Sequence, residues 1–75
     1  MEKVKVFITT PFIKLDALLK YSGVVGTGGE AKVFIEEGLV LVNGVICQIR
    51  GKKIYPGEKV KIKGQLEIAV EEEKR

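Results

Sequence analysis

Asn43-Gly44 lies between two apolar runs, Leu39–Val42 and Val45–Cys47. Both central residues of a type I′ turn need positive φ, which Asn and Gly tolerate, and the turn twists in the same sense as the strands it joins. The dipeptide therefore predicts a tight hairpin with Val42 opposite Val45 and Val40 opposite Cys47. Further on, Lys59-Val60-Lys61-Ile62-Lys63 and Leu66-Glu67-Ile68-Ala69-Val70 alternate with period two, the pattern of half-buried strands. A two-residue loop at Gly64-Gln65 would set Ile62 opposite Glu67, on the wrong face. A three-residue loop, Lys63 to Gln65, sets Ile62 opposite Leu66, Val60 opposite Ile68 and Lys61 beside Glu67. Pro56-Gly57 marks another turn.

The N-terminal half reads differently. Lys3-Val4-Lys5-Val6 alternates like a strand, and Thr9-Thr10-Pro11 breaks it. From Ile13 to Tyr21, Leu15, Leu18 and Leu19 fall at helical spacing, and Gly23 stands where a left-handed residue ends a helix. A second helix is predicted over 29–37, capped by Thr27 or Gly28, with Glu30 near its positive end and Gly38 closing it. The aromatic residues Phe7, Phe12, Tyr21, Phe34 and Tyr55 are expected mostly in the core. Helices followed by strands in 75 residues define one α+β domain with a sheet of about four or five strands. Residues 1–70 are expected to form it, and 71–75 a frayed charged tail.

Composition removes several functions. The chain has no His and one Cys, so neither a zinc site nor an internal disulfide is expected. Without His, no Ser-His-Asp or Cys-His arrangement can be built, and no catalytic residue is assigned. Asp16, the sole Asp, stands four residues before Lys20 and reads as half of a surface ion pair. Cys47 reads as a small core hydrophobe. The longest uncharged stretch, Gly38 to Ile49, falls short of the roughly 20 residues that span a bilayer. Met1 to Lys5 lacks the basic start and apolar block of a signal peptide. A cytoplasmic protein with no membrane contact, no cofactor and no metal is expected.

Charge supplies the positive clue. Between Asn43 and Gly64 stand Arg50, Lys52, Lys53, Lys59, Lys61 and Lys63 against Glu58 alone, a net +5 in a chain whose total is +3. Such a concentration suggests a polyanionic partner, with a solvated Lys-rich face as the plain alternative. Arg50-Gly51-Lys52-Lys53 is the sharpest segment. Three cations flank a glycine on a connection, where long side chains reach phosphates and the main chain can approach closely. Strand alternation alone accounts for Lys59, Lys61 and Lys63.

Gly26-Thr27-Gly28-Gly29-Glu30-Ala31 matches the letters of a dinucleotide-binding fingerprint. It follows a helix rather than a strand, and the chain is too short for the doubly wound sheet. Two readings remain. Backbone N–H groups at a helix start hold a phosphate oxygen, or glycines serve a tight helix–helix turn. Lys32, one turn into the helix, favours phosphate.

Together these segments resemble the RNA-binding domain named after small-subunit ribosomal protein S-four, also called the αL motif. The likeness rests on Leu15 to Lys20, Gly28-Gly29-Glu30-Ala31-Lys32, Glu37 to Gly44, Arg50 to Ile54 and Pro56 to Val60. It is strongest to short stand-alone bacterial members carrying Gly-Gly-Glu-Ala-Lys. The resemblance implies a two-helix unit packed on a small, bent, mainly antiparallel sheet. It implies non-enzymatic binding of structured RNA, often ribosomal. Thr27, Gly28, Gly29 and Lys32 would make contacts at helix 2. Asn43 and Gly44 would shape the adjoining turn, and Arg50, Lys52 and Lys53 would meet phosphates around Gly51. Many relatives carry two arginines before that glycine, and Ile49 replaces the first here. Glu58 stands where Asp is usual.

The expected function is recognition of structured RNA, ribosomal RNA foremost, by shape and phosphate contacts. A ribosomal or RNA-processing protein partner is compatible with it, and a monomer is expected. Two alternatives stay open. One is a protein-interaction module, as a dimer through the Val4–Val6 or Leu66–Val70 strand, although those two strands can instead pair with each other. The other is a binder of a small anion at Gly26–Gly29.

Overall fold

The computed structural model describes residues 2–73. The elements run β1 (Glu2–Ile8), β2 (Ile13–Lys14), α1 (Leu15–Tyr21), α2 (Gly28–Glu36), β3 (Val40–Val42), β4 (Val45–Ile46), β5 (Lys53–Ile54), β6 (Lys59–Ile62) and β7 (Leu66–Glu72). Five strands form one sheet in the order β1-β7-β6-β3-β4, and β2 and β5 form a separate two-stranded ladder. The fold is α+β, as expected.

Turn chemistry and alternation set the antiparallel registers. Asn43 and Gly44 take φ values of 51° and 85°, and Val42 pairs with Val45 across their two-residue turn. The Cys47 N–H donates to the Val40 carbonyl at 3.0 Å, which continues that register. The second hairpin uses the three-residue loop. Ile62 pairs with Leu66, Val60 with Ile68 and Lys61 with Glu67.

β1 and β7 pair in parallel from Glu2–Leu66 to Ile8–Glu72. The sheet is therefore mixed, and β7 lies inside it between β1 and β6. A dimer edge at Leu66–Val70 is ruled out, because β1 already fills it. Pairing extends two residues past Val70, with Glu71 opposite Phe7 and Glu72 opposite Ile8. The Glu73 N–H also donates to the Ile8 carbonyl at 2.8 Å. The rest of the expected tail, Lys74 and Arg75, lies outside the described residues.

The sheet's inner face and the two helices enclose an aliphatic core. Leu15, Leu18, Leu19, Ala31, Ile35, Val40, Ile54, Val60, Ile62 and Ile68 are fully buried, and the buried set contains no polar side chain. None of the aromatic residues belongs to it, contrary to expectation. Phe7, Tyr21 and Tyr55 are exposed, and Phe12 and Phe34 are half-buried. Period-two alternation explains two of them: Val6 and Ile8 point inward, so Phe7 points out, and Ile54 points inward, so Tyr55 points out. Cys47 is half-buried and packs against the core.

The helices differ modestly from expectation. α1 begins at Leu15 rather than Ile13, because Ile13 and Lys14 pair with Ile54 and Lys53. Gly23, at φ 82°, follows its C-cap in the left-handed conformation. α2 begins one residue early, with Thr27 as its N-cap.

Candidate nucleic-acid interface

The β2–β5 ladder organises the basic segment. Its register, Ile13 with Ile54 and Lys14 with Lys53, continues at both ends. The Leu15 N–H donates to the Lys52 carbonyl at 2.9 Å, and Phe12 meets Tyr55 with ring centroids 5.8 Å apart. Alternation sends Ile54 and Leu15 into the core. The opposite face carries Phe12, Tyr55, Lys14 and Lys53. Like charges placed directly opposite across a ladder are unfavourable for folding alone. The Lys53 Nζ lies 4.9 Å from the Phe12 ring centroid, a cation–π contact worth roughly 0.5–1 kcal/mol at an exposed site.

The basic loop is fixed at its backbone and exposed at its side chains. Arg50 and Gly51 occupy the centre of a turn closed by the Lys52 N–H donating to the Ile49 carbonyl at 3.2 Å. The Arg50 and Lys52 carbonyls accept from the Asp16 and Leu15 N–H groups at 3.2 and 2.9 Å. These donors belong to the first turn of α1, where no intrahelical partner exists, and Lys14, the N-cap, makes no side-chain cap. The loop thus caps the helix with its main chain. Arg50, Lys52 and Lys53 are all exposed, and a Cβ added at Gly51 would meet nothing within 4 Å.

The start of α2 forms the second group. The Thr27 Oγ1 accepts from the Glu30 N–H at 3.2 Å, and the Glu30 Oε1 accepts from the Gly26 N–H at 3.1 Å. This is a capping box displaced by one residue. Neither Gly28 nor Gly29 has a positive φ. A Cβ at Gly28 would enter open space, and one at Gly29 would make only an ordinary 3.8 Å contact with Thr27. The helix turn therefore does not require these two glycines. Lys32 is exposed one turn further on.

A shallow groove lies between α1 and the start of α2. It has a volume of about 410 Å³ and is lined by Asp16, Ala17, Lys20, Tyr21 and Gly28. Asp16 connects the groove to the basic loop, since its N–H holds that loop and the residue lines the groove. Its carboxylate accepts from the Ala17 N–H at 2.8 Å, so it serves its own helix start rather than the expected pair with Lys20.

Asn43 has a positioning role. Its Nδ2 donates to Glu58 at 2.9 Å, and its Oδ1 accepts from the Lys59 N–H at 3.1 Å. Glu58 in turn accepts from the Tyr55 N–H at 2.7 Å. The hairpin tip is thereby tied to the turn that carries Tyr55.

Among the residues singled out by sequence, Arg50, Gly51, Lys52 and Lys53 come together at the start of α1. Gly28 faces that same helix across the groove. Asn43 reaches the site through Glu58 and Gly44 completes its turn, while Lys59 and Lys61 lie on β6 in the main sheet. Sequence reasoning missed Lys14, Lys20, Phe12, Tyr21 and Tyr55. Lys14 and Lys20 were legible only as polar positions of a helix, because nothing local announces the β2–β5 pairing.

The fold and this arrangement define a small α+β domain with two short helices on a sheet and a basic loop seated on the first helix. Residues 6–71 match the S4 domain family, and the chain belongs to that family. It is also similar to a protein of Bacillus subtilis (strain 168) named "Probable ribosome maturation protein RlbA". The two are 44% identical over 57 residues, which cover 76% of this chain and 80% of the relative.

Proposed function

We propose that this protein is a non-enzymatic, cytoplasmic RNA-binding protein that recognises structured RNA, ribosomal RNA foremost, by shape and phosphate contacts. Its setting is the maturation of ribosomes, as the name of the Bacillus relative suggests. One observation carries the reading. Arg50, Lys52, Lys53 and Lys14 project from a backbone pinned to the start of α1, and the groove along that helix, from Asp16 to Tyr21, reaches Gly28 of α2. Duplex RNA is read mainly through phosphates, 2′-hydroxyls and shape, so a rigid basic face suits it better than an array of base-reading side chains.

The contact set is Thr27, Gly28, Gly29, Lys32, Arg50, Gly51, Lys52 and Lys53, with Asn43 and Gly44 shaping the turn. Lys14 and Lys20 join it. A protein partner has a different region available, the edge strand β4 and the segment after it, where Val45, Ile46 and Ile49 are exposed. No helix among the described residues is long and apolar enough to cross a membrane.

The test is fluorescence anisotropy at two salt concentrations with a structured ribosomal hairpin, a single strand and a DNA duplex of matched length. Tighter binding to the hairpin, with a log–log salt slope of about −3 to −5, is the expected result. Equal weak binding to all three that vanishes with modest salt overturns the reading and leaves the Val45–Ile49 region as the place to seek a protein partner.

A further inference from the structure

The outward face of the β2–β5 ladder carries more than charge. Phe12 and Tyr55 form a cross-strand aromatic pair with an interplanar angle of 51°, next to the Lys14–Lys53 pair. The two aromatic rings are not equivalent. Phe12 is half-buried, and the Lys53 ammonium lies over its ring, 4.9 Å from the centroid. Tyr55 packs against Phe12 yet keeps 47% of its surface exposed.

Tyr55 is also held in place. Its N–H donates to Glu58 at 2.7 Å, its carbonyl accepts from the Glu58 N–H at 3.0 Å, and Asn43 holds Glu58 at 2.9 Å. Below it, Ile54 is fully buried. A half-open aromatic ring on a fixed backbone, with two lysines paired beside it on the same face of the ladder, has the elements of a nucleotide site. The ring offers a π-face to any base, and the paired ammonium groups suit the adjoining phosphate.

We propose that this face is a base-stacking tile. An unpaired nucleobase next to the bound helix lies on Tyr55, with Lys14 and Lys53 together on the phosphate beside it. The inference rests on the RNA-binding reading above and adds a preference to it. The RNA class bound best is a duplex interrupted by a bulged or flipped-out nucleotide. Tyr55 supplies the preference for the unpaired base, while Arg50 and Lys52 supply affinity indifferent to it.

The test uses the full chain and two hairpins, one fully paired and one with a single bulged 2-aminopurine. Wild-type protein is expected to bind the bulged hairpin about tenfold more tightly, the size of one base–aromatic stack, and to change the 2-aminopurine fluorescence. Tyr55→Leu removes both effects and leaves the paired hairpin and the salt slope unchanged. Tyr55→Phe and Tyr55→Trp keep them, so a folding defect in the Leu variant cannot imitate the result. The double variant Arg50→Ala/Lys52→Ala weakens both hairpins alike. If Tyr55→Leu and Tyr55→Trp both match wild type while the double variant weakens both hairpins, the tile is overturned and the RNA-binding reading stands. If wild-type protein binds neither hairpin, the RNA-binding reading fails and the tile with it.

Discussion

Two surfaces of this molecule carry lysines, and they are built on different rules. On the outer face of the main sheet, Lys3 and Lys61 both lie beside Glu67, and Lys5 and Lys59 both lie beside Ala69. Every cross-strand neighbour there is acidic or neutral, as in an ordinary solvated face. On the β2–β5 ladder, Lys14 lies directly opposite Lys53, beside two aromatic rings and above a loop bearing Arg50 and Lys52. The number of lysines on each surface thus says less than their neighbours do. A surface that only keeps a protein soluble intersperses its charges, whereas one that places cations together favours an anion.

The largest effect expected to sharpen this contrast comes from Arg50→Ala/Lys52→Ala/Lys53→Ala. RNA affinity should fall by roughly tenfold or more at low salt, and the log–log slope should become shallower by about 2–3, near one unit for each phosphate that is no longer neutralised. The matching triple variant Lys59→Ala/Lys61→Ala/Lys63→Ala should change the slope by less than about one unit. Both are read by anisotropy, with circular dichroism to establish folding. Equal slopes in the two triple variants would break the comparison.

Asn43→Ala comes next, and its effect is on stability. It removes the hydrogen bonds to Glu58 and Lys59 and places a residue with less tolerance for the left-handed region at φ 51°. A loss of about 1–3 kcal/mol is expected in urea unfolding. Thr27→Ala should cost about 1 kcal/mol, because the Glu30 N–H is left without its capping acceptor.

The smallest stability effect separates the two explanations of the glycines at α2. Gly28→Ala meets open space at an ordinary φ. Folding should be unchanged or stabilised by up to about 1 kcal/mol. RNA affinity should nonetheless fall, since a methyl group would stand where a phosphate approaches the helix start. Unchanged affinity would remove Gly28 from the contact set.

Much of the main sheet was legible from local rules. Asn-Gly at 43–44 dictated a turn type and therefore a register. The alternation around Lys63–Gln65 excluded one loop length, because the wrong register would have buried Glu67 in place of Leu66. The candidate site was legible as a set of residues and not as a place. Arg50, Lys52 and Lys53 stood out by charge, whereas Lys14 looked like any polar residue of a helix. Phe12 and Tyr55 looked like core because large apolar side chains usually are.

What the sequence determined by itself was period, turn and cap. These are interactions between residues a few positions apart, and Thr27 with Glu30 or Asn43 with Gly44 are complete statements of them. What only the tertiary structure decided was the partner of each element: β1 beside β7 in parallel, β2 beside β5, and the basic loop's carbonyls on the first N–H groups of α1. Such pairings join residues tens of positions apart in the chain, and no local pattern encodes them. They form because backbone donors and acceptors leaving water must find partners and because the aliphatic core closes only when Ile54 and Leu15 point into it. That closure turned the neighbouring positions outward and placed Lys14, Lys53, Phe12 and Tyr55 on one face.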